Sequence, residues 1–334
     1  MKQRLSGILK AVAKLLIAAL LIYWVVGHEW RKVAESISSM NPLWIVLCGL
    51  TLLTQMAGTA IRWKALIAPE LHVSYYEAFR LTFIGLFANI FVPAGAVGGD
   101  IVKAAFLGAR VEKGKRVEAA ISILVDRIVG LVGLFCLTLV LALIYLHRIL
   151  ALPSTARYAV YLLVLMSIAG LAIAFMIFFQ DFIFRWKFAS FLLAWADKWM
   201  RGVPGSIIRS VAAYRNRWKT LVWTTLYSML ILHPLLMLAM YFPLYGALHE
   251  YPHPGVTMTA VAFGNAASAL PLTPGGIGTR DLVVKTLLSA WGITESAAVT
   301  AIIIYTAMLL LIDLLGGIGF FLPAEYKRRN KILQ

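Results

Sequence analysis

Two short glycine- and proline-rich breaks interrupt an otherwise apolar chain. They are Val92-Pro-Ala-Gly-Ala-Val-Gly-Gly-Asp-Ile-Val-Lys103 and Thr273-Pro-Gly-Gly-Ile-Gly-Thr-Arg-Asp-Leu-Val-Val-Lys285. In each, the Pro (Pro93, Pro274) is followed two residues later by Gly (Gly95, Gly276) and seven residues later by Asp (Asp100, Asp281). A Lys comes three or four residues after that Asp (Lys103, Lys285). Glycine and proline stop regular structure. Broken backbone at membrane depth is tolerated only where protein buries it or where it lines a watery cavity. Related breaks in the two halves of one membrane protein point to a transport site at their interface.

The membrane setting follows from composition. The 334 residues are 61% hydrophobic and only 14% charged, against about 25% charged in an ordinary soluble domain. Mean hydropathy is +0.84. The net charge of +16 fits Lys and Arg marking cytoplasmic loops and attracting anionic lipid better than it fits a nucleic-acid partner. Cys48 and Cys136 both lie in apolar runs. With no Cys/His cluster, neither a disulfide framework nor a metal site is expected. The N-terminal apolar run has no A-x-A-like cleavage site and reads as an uncleaved span.

A span needs roughly 20 apolar residues. The pattern predicts an all-α polytopic membrane protein, 1–334 as a single transmembrane domain. About six full spans are expected near 11–27, 43–61, 119–146, 157–179, 220–243 and 297–321. The broken stretches 78–109 and 256–291 are too short on either side of the break to cross. They read as re-entrant helical hairpins opening repeat halves of about 78–146 and 256–321. The segment 181–218 mixes aromatic and basic residues and reads as interfacial and amphipathic. With both termini inside, 24 of the 31 Lys and Arg fall on the cytoplasmic side, as the positive-inside rule requires. Three full spans then separate the hairpins, so they open to opposite sides as an inverted repeat. A fourth span at 181–200 would make the repeats parallel. Asp126-Arg-Ile-Val-Gly-Leu-Val-Gly133 loosely resembles Asp313-Leu-Leu-Gly-Gly-Ile-Gly319 and extends the repeat.

Glycine permits positive φ and close approach of a ligand, and proline ends the incoming half-helix. The second half-helix then begins near Asp100 or Asp281, presenting free N–H groups and partial positive charge suited to phosphate. Lys103, Arg280 and Lys285 add charge. Asp100 and Asp281 also suit N-caps, and the two roles are compatible. Asp126-Arg127 lies early in a span, where ionisable residues count as functional candidates; the structural alternative pairs Arg127 with Asp126 or Asp100. Asp313 reads as a proton-coupling carboxylate or, preferably, a partner for Arg280 or Lys285. His233 reads as a hydrogen-bonded packing residue. Arg62, Trp63 and Lys64 read as an interfacial anchor. Asn89 and Asn265, just before the breaks, suit capping of freed backbone.

At these residues the chain resembles the lysylphosphatidylglycerol synthase transmembrane region family, also described as flippase-like integral membrane proteins. The resemblance rests on Pro93 to Asp100 with Lys103, on Asp126-Arg127-Ile-Val-Gly130, and on Pro271 to Gly278 with Asp281. Many relatives carry Glu at the last position, a mild departure. The resemblance implies a bacterial or archaeal cytoplasmic (inner) membrane protein that handles lipid. It also implies likeness to the flippase module of the multiple peptide resistance factor. The substrate-binding candidates, from the reading of the residues and the resemblance together, are Pro93, Gly95, Gly98, Gly99, Asp100, Lys103, Asp126, Arg127, Pro274, Gly275, Gly276, Gly278, Arg280, Asp281 and Lys285.

The expected function is translocation or binding of an anionic lipid head group, on a phospholipid or polyprenyl phosphate, between the repeats. No cofactor is expected, and the absence of a nucleotide-binding motif argues against direct ATP drive. With no soluble catalytic domain expected, an enzyme is the lesser alternative: a membrane glycosyltransferase or lipid-modifying activity using Asp100 and Asp126. A third reading is a non-catalytic partner of a separately encoded lipid synthase. Membrane lipids are the expected partners, and a homo-oligomer stays open.

Overall fold

A computed structural model describes residues 30–67, 71–91, 98–178, 214–270 and 276–324, with isolated positions besides. The span expected at 11–27, most of the segment 181–218 and the basic tail lie outside the described residues, as do Pro93, Gly95, Pro274 and Gly275.

Regular structure among the described residues is helical. The helices are α1 (Trp30–Ser39), α2 (Pro42–Leu66), α3 (Tyr75–Phe91), α4 (Gly98–Gly108), α5 (Arg116–Ile144), α6 (Leu146–Leu150) and α7 (Ser154–Phe178). There follow α8 (Trp218–Tyr227), α9 (His233–Leu248), α10 (Pro254–Ser268), α11 (Thr279–Ala290) and α12 (Glu295–Leu315). Five stretches are long and apolar enough to cross a membrane: Pro42–Leu66, Arg116–Ile144, Ser154–Phe178, Tyr214–Leu248 and Glu295–Phe320. They match five of the expected spans. The fourth begins at Tyr214, inside the segment read as interfacial.

Local chemistry sets the ends of α2. Asn41 accepts a hydrogen bond from the Leu43 N–H at 2.9 Å, and Pro42 fills the first helical position, where a missing N–H costs nothing. At the other end the Arg217 guanidinium donates to the Ala65 and Leu66 carbonyls at 3.0 Å, satisfying groups a helix terminus leaves open. The helix therefore runs past the expected end at 61. Arg62 and Trp63, read from sequence as an interfacial anchor, are buried at 8% and 0% exposure. Between α8 and α9 the chain widens into a π-turn over Ser228–Leu232. Pro234 follows at once. Its ring cannot fit the preceding α-turn, and the extra residue of the π-turn makes the room.

The two broken regions form helix pairs, α3 with α4 and α10 with α11. At 1.5 Å per residue these helices are about 16–25 Å long, short of the roughly 30 Å hydrocarbon core. In the first pair the outer ends are tied together: Glu77, in the first turn of α3, forms ion pairs with Arg80 at 3.0 Å and with Arg110 just beyond α4. Arg80 also donates to the Gly319 carbonyl at 2.9 Å, fixing this end against the end of α12. In the second pair the Trp291 indole donates to the Arg148 carbonyl at 3.4 Å, and Tyr145 sits edge-on to His253. The first pair thus starts beside the N-terminal end of α5, to which it is joined, and the second beside its C-terminal end. Their other ends meet at one groove, lined by Asn89 and Asp100 of the first pair and by Ser268 and Ile277 beside the second. The main apolar core, with Leu52, Met237, Met240, Phe263 and Tyr305, knits α2, α9, α10 and α12 around them.

Candidate anion-binding site

The first hairpin closes on glycine. A Cβ on Gly99 would strike the Gly85 carbonyl of α3, so the helices touch backbone to backbone. Asn89, one turn after Gly85, accepts a hydrogen bond from the Gly99 N–H at 2.7 Å, the capping role expected of it. Asn89→Leu strands that buried donor and is expected to cost about 1–3 kcal/mol, read as a lowered thermal midpoint in detergent. Lys103 lays its stem on Gly85, with its Cδ 2.9 Å from where a Cβ would be. Its ammonium stands 3.8 Å from the centre of the Trp63 ring, a cation–π arrangement. Lys103 has no carboxylate in ion-pair contact among the described residues, although it is only 5% exposed.

Helix α5 supplies the next layer. Asp126 Oδ1 accepts from Arg62 Nε at 2.8 Å, and Arg62 Nη1 donates to Ser228 Oγ, also at 2.8 Å. The guanidinium lies flat over Gly130, whose missing Cβ leaves only 3.0 Å to Nη1. That accounts for the glycine one turn after Asp126. Nε2 of His233 hydrogen-bonds the Gly130 carbonyl at 2.9 Å, the packing role expected for it. Arg127 turns the other way and pairs with Asp100. Asp100 therefore holds Arg127, while Asn89 provides the cap; the expected pairing of Arg127 takes its Asp100 form.

The second hairpin repeats the frame with different chemistry. Asp281 does cap: its Oδ2 accepts from the Gly278 N–H at 2.9 Å. Its Oδ1 takes Arg280 at 2.7 Å, and Arg280 donates to Thr306 at 2.6 Å while stacking on Tyr305. Gly264 contacts Val284, as Gly85 contacts Lys103. The counterpart of Lys103 is thus Val284, three residues after Asp281. Lys285 is one residue further on, about 100° around the helix. It lines neither cavity described below and pairs with Glu295. Asn265 is likewise not the counterpart of Asn89: Ser268 is, four residues after Gly264. Asp126 and Asp313 do not share a depth either, since they lie ten and eighteen residues into α5 and α12. Asp313 pairs with neither Arg280 nor Lys285; its Oδ1 is buried without a partner among the described residues.

Two adjoining cavities, which share part of their walls, lie between the two helix pairs. The inner one, about 290 Å³, is lined by Arg62, Lys103, Arg127, Asp100, Asp126 and His233, among others. With His233 neutral, three cations face two carboxylates there, and the excess charge is that of Lys103. The outer one, about 660 Å³, shares Asn89, Asp100 and Arg127 with the first and continues to Asn265, Arg280 and Asp313. Its remaining wall is mostly apolar, with leucine and isoleucine side chains of α4, α5 and α12 the largest group. Of the residues expected from sequence, Asp100, Lys103, Asp126, Arg127 and Arg280 line these cavities. Gly98, Gly99, Gly278 and Asp281 lie behind them, and Gly276, with φ of 73°, seats against Ser268. The cation that sequence reasoning placed elsewhere is Arg62; its position five residues from the end of an apolar helix, where snorkelling is the default, concealed it.

Residues 11–317 match the family described as Lysylphosphatidylglycerol synthase TM region. The chain belongs to that family. A UPF0104 membrane protein of Pyrococcus horikoshii is 24% identical over 314 residues, covering 90% of this chain and 92% of that protein. Glycosyltransferase AglD of Haloferax volcanii is 35% identical over 69 residues, 20% of this chain and 11% of that protein. As a member of the family the protein is a membrane protein with several apolar helices. Of the three stretches that carry the resemblance, the described residues place Gly98 to Lys103 at the start of α4, Asp126 to Gly130 on α5, and Gly278 to Asp281 at the start of α11.

Proposed function

We propose that the protein binds the anionic head group of a membrane lipid between its two hairpins and carries it across the cytoplasmic membrane. The head group is a phosphate, on a phospholipid or a polyprenyl chain. The observation that carries this reading is Lys103: a buried cation without a carboxylate in contact, in a cavity that shares a wall with a largely apolar groove. A phosphate there meets the ammonium and Arg127 while its tails stay among Leu and Ile side chains. In this reading the hairpins are re-entrant, open to opposite sides, and form the tips of an inverted repeat with both termini cytoplasmic.

The reading assigns no catalytic step. Asp100 and Asp126, the acidic pair an enzyme would need, are each engaged by an arginine, Arg127 and Arg62. Glycosyl transfer and service to a separate synthase remain the rivals; a product formed from nucleotide-sugar and lipid, or a co-purifying synthase, would favour them.

The test uses purified protein in liposomes with a labelled phosphatidylglycerol or polyprenyl phosphate. Scrambling above empty liposomes is expected. Lys103→Met should weaken binding of the same lipid at least about tenfold, or roughly 1.4 kcal/mol. Lys285→Met should have the smaller effect. No scrambling and no binding with any anionic lipid tried would overturn the reading, and equal losses in the two variants would remove Lys103 from it.

A further inference from the structure

The charges around the two cavities are unequal at their ends. The inner end carries one positive charge in excess, on Lys103. At the outer end Arg280 is neutralised by Asp281 directly behind it, which leaves Asp313 as a carboxylate without a counter-charge. Nδ2 of Asn265 is also buried without a partner among the described residues, and both residues line the same groove. Asp313 is half-buried, with Oδ1 held away from water and unpaired, which is unfavourable for the charged form unless something cancels its charge. A head-group phosphate at Lys103 satisfies one end only, and brings a second negative charge into the groove.

We propose that Asp313 is a proton-binding site, and that the groove takes up one proton together with one anionic lipid. This rests on the lipid-carrier reading above and adds its energy source. The identity of the cation follows from what surrounds the carboxylate. A metal ion needs a shell of several oxygen ligands, and no cluster of three or more His, Cys, Asp or Glu exists among the described residues. The neighbours of Asp313 in the groove wall are Leu309 and Leu310. A proton needs one carboxylate oxygen and nothing more.

The charged and titratable groups that share the groove with Asp313 are few. From α11 there is Arg280, from α12 Tyr305, from α4 Asp100 and from α5 Arg127. The walls given by α2, α3, α9 and α10 carry no charge: Met56, Leu86, Asn89, Leu236, Asn265 and Ser268. Arg280 is held by Asp281 and Thr306, and Arg127 by Asp100, so Asp313 is the charged group of this groove with no opposite charge in contact; in the inner cavity His233 and Lys103 face the phosphate itself, and the Asp313→Asn variant separates their protons from that of Asp313. The proton passes from water on one side to Asp313 and leaves to water on the other; no bond of the lipid is made or broken.

Two measurements test this. In weakly buffered detergent solution, titrating in phosphatidylglycerol should take up about one proton per lipid bound, reported by a pH dye. Asp313→Asn should bind lipid with no proton uptake. In liposomes, a gradient of one pH unit should draw labelled phosphatidylglycerol toward the alkaline leaflet to a ratio of about ten to one, since one proton per lipid is worth that factor. A clamped membrane potential should leave this ratio unmoved, because a monoanion and a proton cross as a neutral pair. Asp313→Asn should flip the lipid to equal populations with or without the gradient. Lipid binding without proton uptake in the wild-type protein, or a gradient response that survives in Asp313→Asn, overturns the proposal and leaves the carrier reading standing. Absence of both binding and flipping overturns the two together. If Asp313→Asn does not purify as a folded species, the wild-type proton count and gradient response decide alone.

Discussion

Replacing Asp126 by Ala is expected to cost about 3–5 kcal/mol, the loss that follows when one partner of a buried ion pair is removed and the other is stranded. The stranded group is Arg62, 8% exposed, with its Nε on the carboxylate and Nη1 on Ser228. Three helical segments meet at this contact, α2, α5 and the π-turn before α9, so the damage spreads beyond one side chain. Arg62→Ala should cost a similar amount for the mirrored reason. The informative variant removes both: Arg62→Met with Asp126→Leu replaces two charges by apolar groups and should recover most of the stability, because a buried pair gains little over a well-packed apolar one. Thermal unfolding in detergent, followed by circular dichroism, reads all three. Single variants within about 1 kcal/mol of wild type, or a double variant as unstable as the summed singles, would show that the pair is not the fastener described here.

Gly99→Val is expected to be more damaging than substitution of the other described glycines, whose nearest neighbours are side chains or lie further off. Its Cβ would fall on the Gly85 carbonyl, which is backbone and cannot turn aside as a side chain can. The same Cβ would sit 2.8 Å from Asn89 Oδ1, the atom that caps Gly99. Relief requires α3 and α4 to separate, which also moves Lys103 off Trp63 and opens the inner cavity. Overpacking of this kind costs typically 1–3 kcal/mol and more where backbone is struck. We expect a loss of about 3 kcal/mol or more together with loss of lipid binding. Gly114→Ala is the control: nothing lies within 4 Å of its added Cβ, and it should stay within about 0.5 kcal/mol of wild type. Equal stability of Gly99→Val and Gly114→Ala would rule out the close packing of the first hairpin.

Some of this was written in the linear sequence. Helix length follows from apolar run length, because a span must satisfy its own backbone through some 20 residues. Hence α2, α5, α7, α9 and α12 fall where hydropathy places them, and the two breaks fall at the Gly/Pro stretches. The Asn89 cap was legible because an amide just before a break has a local donor to satisfy. The Asp281 cap was legible because a carboxylate at the third helical position reaches the residue before the helix.

Side-chain partnership was not legible, because it depends on rotation about helix axes and on which helices meet. Lys103 and Lys285 look equivalent in sequence, but one extra residue turns Lys285 to another face and leaves Val284 in the matching place. Asp100 and Asp281 occupy the same helical position, yet one holds Arg127 and the other holds Arg280 and a backbone N–H. Arg62 looked like an interfacial anchor until the bundle brought Asp126, 64 residues away, against it. Sequence alone determined that the chain is a helical membrane protein with two broken, charge-bearing hairpins. Only the tertiary structure decided which charges cancel and which are left over, because cancellation acts through space across a few ångströms, and that distance is set by packing.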